Sequence, residues 1–174
     1  MAQLEVIKMG NPLLRRSSLE VKENMLSVDF QVFLVNLIDT MHAFNGVGIS
    51  APQVGVLKRV FTMEMKNNSR YPNRSPFPLQ VVINPEIQFL GNELVDSWEG
   101  CLSIPNIRGR LKRYNHIKLI GFNEKGVRFN MELKGFPAIV AQHEVDHLNG
   151  ILLIDRMDSM ETLTFQQEYE KYWL

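Results

Sequence analysis

The stretch Gln142-His143-Glu144-Val145-Asp146-His147 decides how the rest of this chain is interpreted. It contains the pattern H-E-x-x-H, and residues four apart on a helix lie on the same face. His143 and His147 can therefore offer two imidazoles to one metal ion. Glu144 then projects beside the metal, where a carboxylate can act as general base toward water. The alternative is two unrelated surface histidines. The chain has only four histidines, so this spacing around a glutamate favours a metal site.

The flanks of this stretch predict the helix that carries it. Pro137 suits a first helical turn, where its missing N–H costs nothing, and Asn149-Gly150 suits a helix end. The positions between them are largely apolar: Ile139, Val140, Ala141, Val145 and Leu148. A helix of this kind is predicted to be buried at the centre of the fold.

Composition bounds the class of protein. The 174 residues are 45% hydrophobic and 22% charged, which predicts one globular domain over residues 1–174. Nineteen basic and nineteen acidic residues give no net charge, so no electrostatic argument favours a nucleic-acid partner or an anionic membrane. No segment reaches the about 20 apolar residues of a membrane span, and no secretory signal pattern is evident. We expect a cytoplasmic protein, with a processed organellar protein as the alternative.

Hydrophobic periodicity predicts an α+β fold. Apolar residues recur at helical spacing from Asp29, taken as the N-cap, to Asn45-Gly46. A polar, proline-rich stretch over 66–78 is predicted as an exposed loop at the rim of a cleft, and 159–174 as a C-terminal helix. Strands are predicted at 57–65, 79–84, 86–90, 117–122, 127–133 and 151–156. We therefore expect antiparallel β-strands packed around a central metal-binding α-helix, with a C-terminal helix.

A second stretch, residues 46–55, is rich in glycine and small residues. It follows the predicted first helix and precedes a strand, where small residues let the backbone approach another group closely. It is not a phosphate-binding loop, because no helix follows its glycines and no Lys-Ser/Thr pair closes it. A plain turn is the other interpretation.

The third metal ligand separates the possible enzyme classes. A metzincin would need histidine at position 153, which is Leu153, and a thermolysin-like site would need a later glutamate such as Glu161 or Glu168. Cys101 is the remaining candidate, since a thiolate and two imidazoles bind zinc or ferrous iron well. A zincin-type metallo-endopeptidase and a non-catalytic, metal-stabilised binding domain stay open as alternatives. The binding domain would need a fourth protein ligand.

Three stretches together resemble the motifs of the peptide deformylases, which remove the N-formyl group from new polypeptides. They are Gly46-Val47-Gly48-Ile49-Ser50-Ala51-Pro52-Gln53, similar to G-x-G-x-A-A-x-Q; Glu99-Gly100-Cys101-Leu102-Ser103; and Gln142 to His147. One departure is visible, because Ser50 replaces the first alanine of the first motif. This is a change between small residues, which should leave the loop intact.

The resemblance implies a role for each matching residue in the chemistry. Cys101, His143 and His147 would hold the metal, and Glu144 would carry the proton between water and the departing amine. The side-chain amide of Gln53 and the backbone N–H of Leu102 would stabilise the oxyanion. Behind the ligands, Glu99 would pair with Arg113 and fix the cysteine loop.

Substrate contacts are expected on both sides of the metal. The backbone of Gly46, Val47, Gly48 and Ile49 could pair with the peptide as an added strand. Ile139 and Val140, one turn before the first histidine, could line a pocket for the methionine side chain. Arg108 resembles a family position near the backbone of the substrate.

The resemblance also implies the cofactor and the partners. One divalent metal ion is expected, Fe²⁺ in the cell, with Zn²⁺, Ni²⁺ or Co²⁺ in the purified protein. The expected partners are N-formylmethionyl nascent peptides and the ribosome, with no direct nucleic-acid or membrane contact.

Overall fold

The computed structural model of the protein describes residues 3–22, 24–66, 68, 70–71 and 73–174. The three helices are α1 Val28–Ala43, α2 Phe136–Leu148 and α3 Gln166–Tyr172. The strands are β1 Gly48–Ser50, β2 Val60–Met65, β3 Phe77–Phe89, β4 Leu94–Cys101, β5 Ile104–Tyr114, β6 His116–Phe122, β7 Arg128–Lys134 and β8 Thr164–Phe165. No helix in these residue ranges is both long and apolar enough to cross a membrane.

The strands form two antiparallel sheets. Five strands pair in the order β1-β2-β3-β6-β7, and three pair in the order β4-β5-β8. Helix α2 contacts strands of both sheets and is buried over most of its length. The predicted α+β fold, with antiparallel strands around a central helix, is confirmed.

Helix α1 lies where the periodicity placed it, but it is capped differently. Its N-cap is Ser27 rather than Asp29, which instead occupies the first turn. The buried face carries Phe30, Leu34 and Leu37, which pack in a cluster with residues of β1 and β2. The helix thus closes one face of the five-stranded sheet.

The two strands predicted at 79–84 and 86–90 are one strand, β3. Its pairing with β6 shifts register between Ile83 and Glu86, and Asn84 has a positive φ of 50° at that point. The Asn84 side chain accepts a hydrogen bond from Val21 N at 2.8 Å and donates one to Val21 O at 3.0 Å. The asparagine and proline here mark a bulge that binds the N-terminal segment, so they do not end the strand.

The hairpin of β4 and β5 was not predicted. Its inward positions carry polar and charged side chains, among them Ser97, Glu99 and Arg113, all buried. Because these buried positions are not apolar, the alternation of apolar residues that indicates a strand is absent here. This hairpin carries Cys101 at the end of β4.

Two predictions in the C-terminal region need correction. The strand predicted at 151–156 is wrong, since Leu153–Arg156 is a 3-10 turn that buries the adjacent residues Leu152 and Leu153. The helix predicted over 159–174 is shorter than expected, since only α3 is α-helical in that range. A 3-10 turn, Met160–Thr162, and strand β8 precede it.

Candidate active site

Helix α2 and the end of β4 bring together the three predicted metal ligands. One donor atom each of Cys101, His143 and His147 lies within 4.8 Å of the others, and all three residues are buried. The rings of the two histidines meet edge to face, with centroids 4.9 Å apart. Cys101 Sγ lies 3.2 Å from His147 Nε2. One sulfur and two imidazole nitrogens at this spacing can bind a single divalent transition metal.

The charge state of Cys101 suits metal binding. Burial alone would raise the pKa of its thiol, but the neighbouring His147 and His143 lower that pKa well below its ordinary value. The thiolate is the form that binds metal. The cysteine is therefore held in its ligand form.

Buried charges behind His143 fix its ring. His143 Nδ1 lies 2.9 Å from Glu99 Oε2, which leaves Nε2 as the donor atom on the cluster side. Glu99 accepts two hydrogen bonds from Arg113, at 2.8 Å from Nε and 3.0 Å from Nη2. Burial opposes ionisation of Glu99, yet the charge of Arg113 and the hydrogen bond to His143 lower its pKa to about 2.

The same network includes Asp146, which the sequence analysis did not assign. Its carboxylate accepts from Arg113 Nη1 at 2.5 Å and from Arg156 Nη2 at 2.6 Å. An acidic residue on a helix predicted to be buried was the available signal, because a buried carboxylate requires a partner. Asp146 thus ties α2 to the hairpin.

Glu144 is buried beside the ligand cluster. Its Oε2 has no hydrogen-bond partner among the described residues, and burial raises the pKa of its carboxyl to about 7. A Cβ at position 48 would lie 2.4 Å from Glu144 Oε1, so only glycine leaves space for the carboxylate there. The close backbone approach predicted for the glycine-rich stretch is therefore an approach to Glu144.

Gln53 is held in one orientation. Its Oε1 accepts hydrogen bonds from Ser50 N at 2.9 Å and Ser50 Oγ at 3.0 Å. The amide donor Nε2 consequently points the other way, 3.5 Å from Cys101 Sγ and 3.3 Å from Ser103 Oγ. The structure thus directs this donor toward the ligand cluster.

Leu102 follows the cysteine ligand and lines the same cleft. Its carbonyl accepts a hydrogen bond from Lys8 Nζ at 3.0 Å, and the backbone N–H of Met9 bonds Ser103 O at 2.8 Å. The N-terminal segment therefore holds the backbone carbonyls of Leu102 and Ser103. No sequence pattern pointed to Lys8.

A narrow cleft opens onto Glu144, Cys101 and His143. Of the predicted substrate contacts, Gly46, Val47, Gly48, Ile139 and Val140 line it. Arg70 and Tyr71 also line it, which places part of the predicted 66–78 loop at the cleft; residues 67, 69 and 72 lie outside the described residues. Trp98, Gly100 and Phe136 complete a wall that the sequence did not indicate.

The side chains of two predicted substrate-contact residues lie away from the cleft. The side chain of Ile49 is fully buried in the cluster with α1, and its backbone pairs with Thr62 of β2. Arg108 is only 1% exposed, because Tyr71 and Gln166 cover its guanidinium. Neither side chain reaches the cleft surface.

The two remaining histidines pair elsewhere. His42 Nε2 lies 2.6 Å from Glu64 Oε2, and His116 Nε2 lies 3.2 Å from Glu132 Oε2. Among the described residues, the group that could hold a metal ion contains three candidate protein ligands. Three ligands leave a coordination position for water or substrate, as catalytic metal sites do.

The chain is similar to one family of known proteins along most of its length. A family model described as polypeptide deformylase matches residues 3–163. A peptide deformylase of Leptospira biflexa is 38% identical over 98% of this chain and 96% of its own. Peptide deformylase 1 of Prochlorococcus marinus is 41% identical over 98% of this chain and 88% of its own.

Solved structures agree with the sequence relatives. The crystal structure of a class I type b peptide deformylase from Acinetobacter baumannii, bound to Met-Ala-Ser, superimposes with a TM-score of 0.85 at 38% identity. It covers 90% of this chain and 99% of that one. The peptide deformylase of Thermotoga maritima gives a TM-score of 0.79 at 35% identity, over 91% and 100% of the two chains. The family model, the sequence relatives and the fold together show that the chain belongs to the polypeptide deformylase family of metal-dependent enzymes.

Proposed function

We propose that the protein hydrolyses the N-terminal formyl group of N-formylmethionyl nascent peptides and releases formate. The observation that carries this proposal is the cluster of Cys101, His143 and His147 beside Glu144 in a chain of the deformylase family. The zincin-type endopeptidase has no support, since the relatives are deformylases and Cys101 lies within the cluster.

Cys101, His143 and His147 are the proposed ligands of one divalent metal ion. Their donor set, their burial and the lowered pKa of the thiol fit such an ion. We propose Fe²⁺ in the cell and Zn²⁺, Ni²⁺ or Co²⁺ in preparations where those metals are more available. A divalent ion held there would supply Lewis-acid chemistry, polarising the formyl carbonyl and activating water for attack.

Glu144 is the proposed proton carrier. Burial raises the pKa of its carboxyl above the ordinary value, which favours a group that can accept a proton and release it again. Its Oε2, which has no hydrogen-bond partner among the described residues, is the proposed atom for this transfer. The proton taken from water would pass to the amine nitrogen as the bond between formyl carbon and nitrogen breaks.

Two donors are proposed to stabilise the oxyanion that develops on the formyl oxygen. They are Gln53 Nε2 and the backbone N–H of Leu102. The anchoring of Gln53 Oε1 by Ser50 supports this role, because the donor need not reorient during the reaction.

The peptide is proposed to bind along β1. This strand lies at the edge of its sheet, where β2 is its one partner among the described strands, and Gly46, Val47 and Gly48 line the cleft. Backbone pairing there would hold the peptide as an added strand, to which Ile49 contributes only main chain. Ile139 and Val140 would provide the apolar wall for the methionine side chain. The Met-Ala-Ser complex of the Acinetobacter baumannii enzyme supports a peptide of this kind.

The proposal also includes the number of domains, the location in the cell and the contact with the ribosome. Residues 1–174 would act as one catalytic domain in the cytoplasm. Contact with the ribosome stays a prediction.

The proposed chemistry is tested by Glu144→Gln. Formate release from formyl-Met-Ala-Ser should fall by about 10²-fold or more, because the proton carrier is lost while the side-chain shape is kept. Metal content should stay unchanged.

Glu161→Gln is the matched control, since Glu161 is exposed and was the alternative third ligand. It should keep full activity. Wild-type formate release by Glu144→Gln would contradict the mechanism.

A further inference from the structure

The C-terminal segment, Thr164 to Trp173, packs behind the wall of the cleft. It begins immediately after the residues that the family model matches, which end at 163. Strand β8 attaches it to the hairpin, where Thr164 pairs with Arg108 and Phe165 pairs with Ile107. Helix α3 then continues along the hairpin strand β5.

The first link from this segment to the cleft runs through Arg108. Its Nε donates to Gln166 Oε1 at 2.7 Å, and its Nη1 donates to Tyr71 Oη at 2.9 Å. The guanidinium also lies over two rings, 4.9 Å from the centroid of Tyr71 and 5.4 Å from that of Tyr169. Arg108 therefore joins Tyr71, a residue of the cleft wall, to two side chains of the C-terminal segment.

The environment of Arg108 makes each of these contacts important. The side chain is fully buried, and no ion pair with a carboxylate is found for it among the described residues. Its Nη2 has no hydrogen-bond partner there. A buried cation is stabilised only by the groups that contact it, so loss of one neutral acceptor changes its position or its hydration.

Trp98 forms the second link. This residue lines the cleft, and its ring lies 5.2 Å from the ring centroids of both Tyr169 and Trp173. Gly100, two residues later, pairs with Arg108 across the hairpin. A Cβ there would lie 3.2 Å from Arg108 Cζ, so glycine leaves room for the guanidinium beside the cleft.

We propose that the C-terminal segment positions the substrate-binding wall, holding Tyr71 through Arg108 and holding Trp98 by direct packing. The proposal rests on the proposed deformylase function and adds binding elements that the sequence motifs do not contain. The contacts described for Gln166, Tyr169 and Trp173 reach the wall and not the metal ligands or Glu144, among the described residues. The segment therefore acts on peptide binding and leaves the chemical step unchanged.

The first test separates KM from kcat. Gln166→Ala should raise KM for formyl-Met-Ala-Ser by about tenfold with kcat unchanged, because a hydrogen bond to a charged group is lost. Tyr169→Ala removes the ring that contacts both Arg108 and Trp98. It should also raise KM and leave kcat unchanged.

Two controls isolate the contact with Arg108. Gln167→Ala changes an exposed glutamine next to Gln166, and Glu168→Ala changes an exposed glutamate of the same helix. Both variants should keep the wild-type KM. Unchanged KM in Gln166→Ala and Tyr169→Ala would overturn the proposal, as would an equal loss in kcat.

A binding measurement keeps the inference separate from the proposed activity. Trp98 and Trp173 are the only tryptophans in the chain, so Trp173→Phe leaves one tryptophan, located in the wall, and keeps an aromatic ring beside it. In that background, titration with Met-Ala-Ser should give a Kd about tenfold higher with Gln166→Ala than without it. An unchanged Kd overturns the positioning role. Absence of formate release by the wild type overturns the proposed function instead.

Discussion

Ser50 contacts the two side chains proposed to act on the formyl group. Its hydroxyl lies 3.0 Å from Gln53 Oε1. Burial raises the pKa of Glu144. The charges of His143 and His147 oppose this rise, and the Ser50 hydroxyl opposes it further when its one proton is donated to Glu144 rather than to Gln53. The residue stands where the family pattern has alanine, so one small substitution adds a polar contact to the proposed site.

Removal of this hydroxyl should slow the reaction moderately. Ser50→Ala should lower kcat by about three- to tenfold, because Gln53 loses one of two donors that orient its amide. Steady-state measurement of formate release checks this value. Ser18→Ala is the control, since Ser18 Oγ is buried without a partner among the described residues. If kcat is the same for Ser50→Ala and Ser18→Ala, the Ser50 hydroxyl has no role in catalysis.

Single residues could be predicted where their chemistry is unusual or their spacing is local. His143, Glu144 and His147 follow from the spacing of the H-E-x-x-H pattern, and Cys101 follows from the need for a third ligand together with the resemblance of its motif to that of the family. Asp146 and Lys8 act through partners far away in the chain, which local spacing does not reveal.

At the scale of elements, the sequence predicted α1, α2 and the strands β6 and β7 but missed the hairpin of β4 and β5. The predicted elements bury apolar residues with the period of a helix or a strand. In the missed hairpin, alternate inward positions hold Ser97, Glu99 and Cys101, of which Glu99 and Cys101 belong to the candidate site. The alternation exists, but it is an alternation of buried polar residues.

Arg113 joins this hairpin to α2 and should contribute strongly to stability. It contacts the carboxylates of Glu99 and Asp146 in a buried site. Arg113→Ala should lower the free energy of unfolding by about 3–5 kcal/mol, because it leaves buried charges unpaired. Urea denaturation followed by circular dichroism measures the change.

An exposed pair on the same hairpin provides the comparison. Arg110 Nη2 lies 2.7 Å from Asp96 Oδ2 at the surface. Arg110→Ala should leave the free energy of unfolding nearly unchanged, since solvent screens such pairs. If the two variants lose the same free energy of unfolding, burial does not make the Arg113 network more stabilising than a surface ion pair.

At the scale of the whole molecule, the proposed metal would join the two sheets through their shared helix. Cys101 belongs to the three-stranded sheet, whereas His143 and His147 belong to α2, which also packs on the five-stranded sheet. Folding and metal binding are therefore expected to be coupled.

Metal removal should accordingly lower Tm. At a free-metal concentration about a hundredfold above Kd, bound metal stabilises by about 2.7 kcal/mol, which chelation removes. Differential scanning calorimetry with and without chelator measures the shift, and restored Zn²⁺ should reverse it. In Cys101→Ala the shift should be much smaller. A wild-type Tm that does not respond to chelation would contradict the proposed ligand set.

The α+β class and the central helix followed from local patterns, whereas the arrangement of the two sheets did not. Pairing of β5 with β8, or of β3 with β6, depends on contacts between distant parts of the chain. The cleft wall formed by Tyr71 and Trp98 depends on these pairings. Its composition was therefore not predictable from one sequence.

The two edges of the five-stranded sheet differ in what they can attract. Strand β1 forms one edge with only three residues, of which Gly48 lines the cleft. Strand β7 forms the other edge and exposes Arg128, Glu132 and Lys134 to solvent. Charged side chains and short length both discourage edge-to-edge aggregation of folded chains. We expect the sheet to accept the extended end of a peptide at one edge and to resist self-association at both.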